Sequence, residues 1–256
     1  MAAATRTFTA GAMNVRVFPD TAAMAADAAQ AAQALLKDAI ATNGSAAAIL
    51  ATGNSQLQFL DQLVKIGGVD WSRVTLFHMD EYLGISADHP ASFRRYMRER
   101  VAAKLKPKVF HYMEGDAMEP LAECRRYAKL IATQPIDLCC LGIGENGHLA
   151  FNDPPVANFT DPEPCKIVKL DLACRQQQAG EGHFPNIDAV PQYALTLTIP
   201  ALCSAKRMLC IVPEKRKAVA VKGTINGPIS TACPGSFLRQ QAHCTLFLDA
   251  DSASLI

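Results

Sequence analysis

Four short stretches of this chain carry residue types that can move protons or hold an anion. The glycine-rich run GIGENGHLAFNDPP (142–155) sets His148 ahead of Asp153. Such a pair can work as an acid–base dyad, because the carboxylate fixes the ring tautomer and raises its basicity. FHMDEY (77–82) places two carboxylates, Asp80 and Glu81, side by side. Neighbours at a strand end point to opposite faces, so at most one of them serves a given site. A partly buried carboxylate held over a substrate carbon can take and return a proton; the plainer alternative is a solvated Asp-Glu turn. The turn TGNS (52–55) offers free backbone N–H groups and the Thr52 and Ser55 hydroxyls, a set that suits a phosphate. It lacks the G-K-[ST] ending of a P-loop, and it reads equally well as an ordinary strand–helix turn capped by Asn54. Lys217, in EKRK (214–217), opens a helix and can meet a phosphate as a point charge, or it can be a surface lysine like its neighbours.

Gly142 to Gly147 also spells G-x-G-x-x-G. A dinucleotide loop belongs at the first strand–helix turn of a βαβ unit, with an acidic residue ending the next strand. This run lies past the middle of the chain, and Pro154 and Pro155 stop any helix behind it. Asp161 and Glu163 fall at the expected distance but sit in FTDPEPC, which is not the end of an apolar strand. The run reads as a catalytic loop with hinge glycines rather than a nucleotide cradle.

The elements that must position these residues alternate between strand and helix. Strands are expected at 13–18, 46–51, 73–79, 136–143, 193–199, 206–212 and 244–249. Helices are expected over about 20–42, from 56 to about 65, and over 91–104, 119–133 and 214–222. Asp20 reads as the cap of the first helix, and Asn43-Gly44 as its stop. Alternation of this kind predicts an α/β fold: a doubly wound, mostly parallel sheet with helices on both faces. Uninterrupted apolar strands such as 46–51 and 136–143 fit a sheet buried on both sides. Ligands bind at the carboxyl ends of strands in such folds, and three of these strands end in the polar loops described above. The stretch 154–192 is the least regular and reads as a flap over whatever binds. With no repeat or linker in sight, residues 1–256 read as a single domain.

Composition removes several function classes. The chain has 256 residues, half of them hydrophobic, and a formal net charge of only +1, which argues against a nucleic-acid partner. Its nine cysteines include no C-x-x-C, which predicts reduced core thiols in a cytoplasmic protein and no structural metal. The N-terminus is not a signal peptide, and the alanine-rich stretch 22–36 is broken by Asp27, Gln30 and Gln33, so no membrane span is expected.

Taken together, the motifs resemble those of the glucosamine-6-phosphate deaminase (isomerase) family. GIGENGHLAFNDP is similar to that family's signature G-[IV]-G-x-[ND]-G-H-I-[AG]-F-N-E-P, and FHMDEYLG to its F-N-M-D-E-Y-x-G. ATGNS is similar to its T-G-G-[ST]-P phosphate loop, and VPQYALTLTI and KAVAVKG also recur, so the likeness spans about residues 15–235. The resemblance implies a Rossmann-like fold and conversion of an amino-sugar 6-phosphate and water into fructose 6-phosphate and ammonia, with no metal or organic cofactor. It implies that Asp80 shuttles a proton between C2 and O1, and that His148 assists ring opening at O5. It pairs Asp153 with His148 and sets Asn146 beside them. Thr52, Gly53, Asn54, Ser55 and Lys217 would hold the phosphate, with Glu81 and Gly144 at the substrate. A homo-oligomer is compatible with the family.

Departures from the pattern are specific. Asp153 stands where the family has glutamate, Asn54 replaces the second glycine of the phosphate loop, and Gln56 replaces its proline. Gly180 falls where some members carry a flap arginine, leaving Arg175 or His183 as stand-ins. The C-terminal extension tied to allosteric activation is lacking, so none is expected. Three alternatives accompany this reading: a galactosamine-6-phosphate deaminase, a 6-phosphogluconolactonase, and a non-catalytic sugar-phosphate sensor.

Overall fold

The computed structural model describes residues 3–182 and 184–256. The chain runs β1 (Arg6–Ala10), β2 (Met13–Phe18), α1 (Thr21–Asn43), β3 (Ala46–Leu50), α2 (Leu57–Lys65), β4 (Val74–His78), β5 (Asp80–Tyr82), α3 (Phe93–Met97), α4 (Ala103–Leu105), β6 (Val109–His111), α5 (Pro120–Ala132), β7 (Leu138–Leu141), β8 (Cys165–Lys169), α6 (Leu172–Gly180), β9 (Tyr193–Leu197), α7 (Ile199–Cys203), β10 (Arg207–Val212), α8 (Ala218–Asn226) and β11 (Cys244–Asp249). Eight strands form the main sheet in the order β1-β2-β11-β10-β7-β3-β4-β6. Only β1 pairs antiparallel, as an edge hairpin with β2; every other pairing is parallel.

The two-residue period of a strand explains why this sheet is covered on both sides. In β3, Ala46, Ala48 and Leu50 join one apolar cluster with α1 and α2, while Ala47 and Ile49 join the opposite cluster with α5, α7 and α8. Cys139 and Cys140 of β7 divide in the same way. The alanine-rich α1 presents Ala25, Ala28, Ala29 and Ala32 to the sheet, and small side chains let the helix lie close. Its ends follow the sequence expectation: the Asp20 carboxylate accepts from Ala23 N–H, and Gly44 closes the helix in the left-handed region at φ 77°.

The main difference from expectation begins at Met79. The apolar run 73–79 reads as one strand, but β4 ends at His78 and the chain leaves the main sheet. Asp80, Glu81 and Tyr82 are not a loop; they form β5, an edge of a separate three-stranded antiparallel sheet, β5-β9-β8. The strand expected at 193–199 also lies in this small sheet and stops at Leu197, where Thr198 caps α7. Local pattern marks an extended stretch but not the sheet it joins. The stretch read as an irregular flap supplies β8 and α6. No helix among the described residues is long and apolar enough to cross a membrane.

Candidate active site

Four loops meet above neighbouring strands. Those after β3, β4, β7 and β10 leave the carboxyl ends of strands that lie side by side in the order β10-β7-β3-β4. From β3 the chain steps toward β4, and from β7 toward β10, so the crevice opens where the strand order reverses. A cavity of about 70 Å³ fills this crevice. Thr52, Gly53, Ser55, Asp80, Gly144, His148 and Lys217 all line it. Seven of the residues singled out from sequence thus meet at one cavity.

Asp80 is 6 % exposed, and its Oδ1 has no hydrogen-bond partner among the described residues. Burial, and then the charge of neighbouring Glu81, push its carboxyl well above the ordinary range. A carboxyl in that state can hold a proton near neutrality and release it to a nearby cation.

Glu81 points the other way, as strand alternation requires, and does not line the cavity. Its Oε1 accepts from the N–H groups of Tyr82 and Phe93, at 3.0 and 3.1 Å. Its Oε2 accepts from Ser92 Oγ and Arg94 N–H, at 2.8 and 2.9 Å. The Arg94 guanidinium lies 3.5 Å away. Glu81 thus satisfies the open N–H groups at the start of α3. Burial still pushes its carboxyl above the ordinary value, with those donors pulling the other way. The structure gives Glu81 a task inside the protein instead of the substrate contact read from sequence.

His148 sits in a turn closed by Gly144 N–H to His148 C=O and Gly147 N–H to Gly144 C=O. Gly144 is required here for space: a Cβ on it would lie 2.2 Å from the His148 ring. The His148 Nδ1 lies 2.9 Å from Asp153 Oδ1, so the shorter aspartate reaches the ring. The ring N–H is not aligned with that oxygen, and Nδ1 has no hydrogen-bond partner among the described residues. Asp153 is fully buried, accepting from Asn146 Nδ2 at 3.0 Å and from Asp171 N–H at 3.1 Å. Burial pushes its carboxyl up, but His148 and these donors outweigh it, and the net shift is downward. Asn146 also accepts from His148 N–H through Oδ1, at 3.1 Å. It therefore ties the two members of the dyad to each other instead of lining the cavity.

The anion end is built from the β3 and β10 loops. Gly53 (φ 95°) turns the chain into a 3-10 turn over Asn54–Gln56, in a conformation a side chain would strain. The Asn54 side chain donates to the Glu181 carbonyl and does not face the cavity. Lys217 is 2 % exposed. Burial, followed by the Arg216 charge, lowers its pKa.

A flap was expected over 154–192, but not the residues of it that reach the cavity. Gln177, Gln178 and Glu181, on and just beyond α6, line the cavity. The Glu181 carboxylate lies 2.9 Å from Arg216, which also reaches Glu145 at 3.0 Å and Glu214. Tyr82 Oη donates to Gln178 at 2.7 Å, and Glu145 N–H donates to Gln177 at 3.0 Å. The only sequence signal was the polarity of RQQQAGEG. Arg175 does not stand in for the flap arginine: its guanidinium donates to the Ile187 and Val190 carbonyls. His183, the other candidate, lies outside the described residues.

This sheet, and a polar cleft at its strand reversal holding a carboxyl, a histidine dyad and a buried lysine, define an α/β protein equipped for acid–base work on a small anionic ligand. The family model described as glucosamine-6-phosphate isomerases/6-phosphogluconolactonase matches residues 19–247, and the chain belongs to that family. The chain is 35 % identical over 207 residues to a glucosamine-6-phosphate deaminase of Listeria monocytogenes, covering 81 % of this chain and 86 % of that one. It is 34 % identical over 242 residues to the glucosamine-6-phosphate deaminase of an Exiguobacterium species, covering 94 % and 91 %. Among solved structures it superposes on a monomeric glucosamine-6-phosphate deaminase with a TM-score of 0.86 and 32 % identity, over 94 % of this chain and 99 % of that one. A 6-phosphogluconolactonase from Shewanella baltica shares the fold, with a TM-score of 0.76 at 19 % identity over 92 % and 96 % of the chains.

Proposed function

We infer that this chain is a glucosamine-6-phosphate deaminase, converting the amino-sugar phosphate and water into fructose 6-phosphate and ammonia. The observation that carries this reading is Asp80, a buried carboxyl with one unpartnered oxygen in a cavity that also holds His148 and Lys217. Moving the carbonyl from C1 to C2 needs one group that removes a proton from carbon and returns it, and Asp80 has that character. The substrate's ammonium group at C2 is a cation close to the reacting carbon. Its arrival favours the ionised carboxylate and readies the base only when substrate is bound. His148, oriented by Asp153, transfers the proton that opens the sugar ring. Water then replaces the nitrogen at C2, and ammonia leaves.

The phosphate goes to Thr52, Gly53, Ser55 and Lys217. A dianion there favours the Lys217 charge that burial disfavours, and its binding energy orients the far end of the sugar. In this structure the Glu181 carboxylate lies in the same cleft and is held by Arg216. The cavity is small beside the about 300–1,000 Å³ of typical ligand pockets. Substrate therefore enters as α6 lifts, with phosphate taking over from Glu181 as the local anion. Residues of the main sheet's loops and of the small sheet line the same cavity, in keeping with a single domain. The reaction belongs in the cytoplasm, in keeping with nine cysteines that are all free thiols.

The test is ammonia and ketohexose phosphate production from glucosamine 6-phosphate and galactosamine 6-phosphate, side by side, with 6-phosphogluconolactone hydrolysis as a third arm. Turnover of glucosamine 6-phosphate at the highest kcat/KM is expected. Lactone hydrolysis alone would overturn the reading, and binding without turnover would make the chain a sensor.

A further inference from the structure

His148 and Asp153 have a third neighbour that the deamination chemistry does not use. Cys174, on α6, is buried against them. The His148 ring nitrogen, an Asp153 carboxylate oxygen and the Cys174 sulfur all lie within 4.8 Å of one another. The His148 Nδ1, 2.9 Å from Asp153 Oδ1, is buried with no aligned hydrogen bond among the described residues.

We propose that His148, Asp153 and Cys174 form a binding site for zinc or a similar borderline-soft divalent cation, and that occupancy blocks the acid–base dyad.

Three features support this. The donor set is one sulfur, one nitrogen and one oxygen, which suits zinc; magnesium and calcium take oxygen alone. The charges balance. Zinc with a thiolate, a carboxylate and a neutral imidazole has no net charge, which a buried site tolerates far better than a bare dication. The fourth position of a tetrahedral ion can open to the cavity that His148 lines and take a water. Ligands about 2.0–2.3 Å from a common ion lie about 3.3–3.8 Å apart, so the His148 and Asp153 atoms, now 2.9 Å apart, spread slightly while the Cys174 sulfur draws in by at most about 1–1.5 Å. Binding is a simple exchange: the metal–sulfur bond forms, the thiol proton leaves to solvent, and nothing is oxidised.

Cobalt(II) substitutes for zinc and reports on sulfur ligation. Titrating the metal-free protein with cobalt should give a near-ultraviolet thiolate-to-cobalt charge-transfer band that saturates at one equivalent. Cys174→Ser should lose the band and weaken zinc binding by about 100-fold in competition with a chromophoric chelator. Cys203→Ser, which changes a thiol elsewhere, should keep both. Thermal melts of each variant check that it is folded. An unchanged band or zinc affinity in Cys174→Ser overturns the site, as does the absence of any one-equivalent binding in the wild type. These readouts do not depend on the deaminase reading. The inhibitory consequence does: zinc should suppress wild-type ammonia release, reversibly by EDTA, while each variant is compared with its own metal-free rate. Equal fractional inhibition in wild type and Cys174→Ser contradicts the block.

Discussion

Asp80 and Glu81 are adjacent, carry the same functional group and are both buried, yet they sit in opposite surroundings. On one side of β5, Glu81 accepts four hydrogen bonds at the start of α3 and faces Arg94. On the other side, Asp80 keeps an oxygen with no partner among the described residues, at the edge of a cavity. The fold thus divides labour between two carboxyl groups. A carboxylate whose lone pairs are all used holds structure together. One left unpaired under burial is destabilising to the protein and therefore available to a substrate.

The largest expected effect is on the Asp80 side. Asp80→Asn should reduce ammonia release on the order of 1,000-fold, the usual reach of a general acid–base group. The same change should raise the melting temperature at pH 7. The sign follows from the upward shift of the Asp80 carboxyl. Its stability contribution is complete below the unfolded-state value of about 3.9 and is lost as pH rises through the folded value, so removing the charge helps at neutral pH. If Asp80→Asn melts lower at pH 7, the contrast between the two carboxylates fails.

Glu81→Gln should show the opposite signature. An amide offers one acceptor oxygen and turns its NH₂ toward donors, costing about 2–4 kcal/mol of stability. Below its melting transition the variant should keep much of its turnover. Near-complete loss of turnover in a fully folded Glu81→Gln protein would move Glu81 into the chemistry.

His78, one strand residue before the switch at Met79, sharpens the comparison as a buried base. Its Nε2 accepts from Met113 N–H at 2.9 Å, and burial lowers its pKa from 6.5 to about 3. The unfolded chain then binds a proton that the folded one refuses, so stability falls as pH drops below 6.5 toward 3. At pH 4.5 the loss is about 2.5 kcal/mol, by the 1.36 kcal/mol that accompanies each pH unit. His78→Asn, the residue the family motif has there, should flatten that dependence in melts at pH 7 and pH 4.5. Equal acid sensitivity in both proteins would remove His78 as its cause. A smaller effect belongs to the anion end. Lys217→Met should raise KM for the sugar phosphate about tenfold with a modest change in kcat, the scale of one charged hydrogen bond. A fall in kcat alone, with KM unchanged, would point to a role other than phosphate binding.

Motifs that lie within one loop were legible in sequence. His148 and Asp153 share a turn, and Thr52 to Ser55 share another, so their spacing carried the geometry. The parallel sheet was legible for a related reason, since strands buried on both faces leave continuous apolar runs. Contacts made across the chain were not legible. Nothing local indicates that β5 pairs with β9, and that pairing is what turns Asp80 toward the cavity and Glu81 toward α3. Arg216 read as a surface residue because two of its partners, Glu145 and Glu181, come from loops far away in sequence. Asn54 lies in the expected turn, but its side chain donates to the Glu181 carbonyl: backbone placement followed from the motif, while side-chain direction depended on a neighbour distant in sequence.

The most direct test of the account is ammonia release from saturating glucosamine 6-phosphate, measured in parallel for the wild-type protein and Asp80→Asn, both shown to be folded by their melts. The account predicts steady release by the wild type and loss on the order of 1,000-fold in a variant that melts no lower at pH 7. No ammonia from the wild type, or comparable release from both proteins, would contradict it.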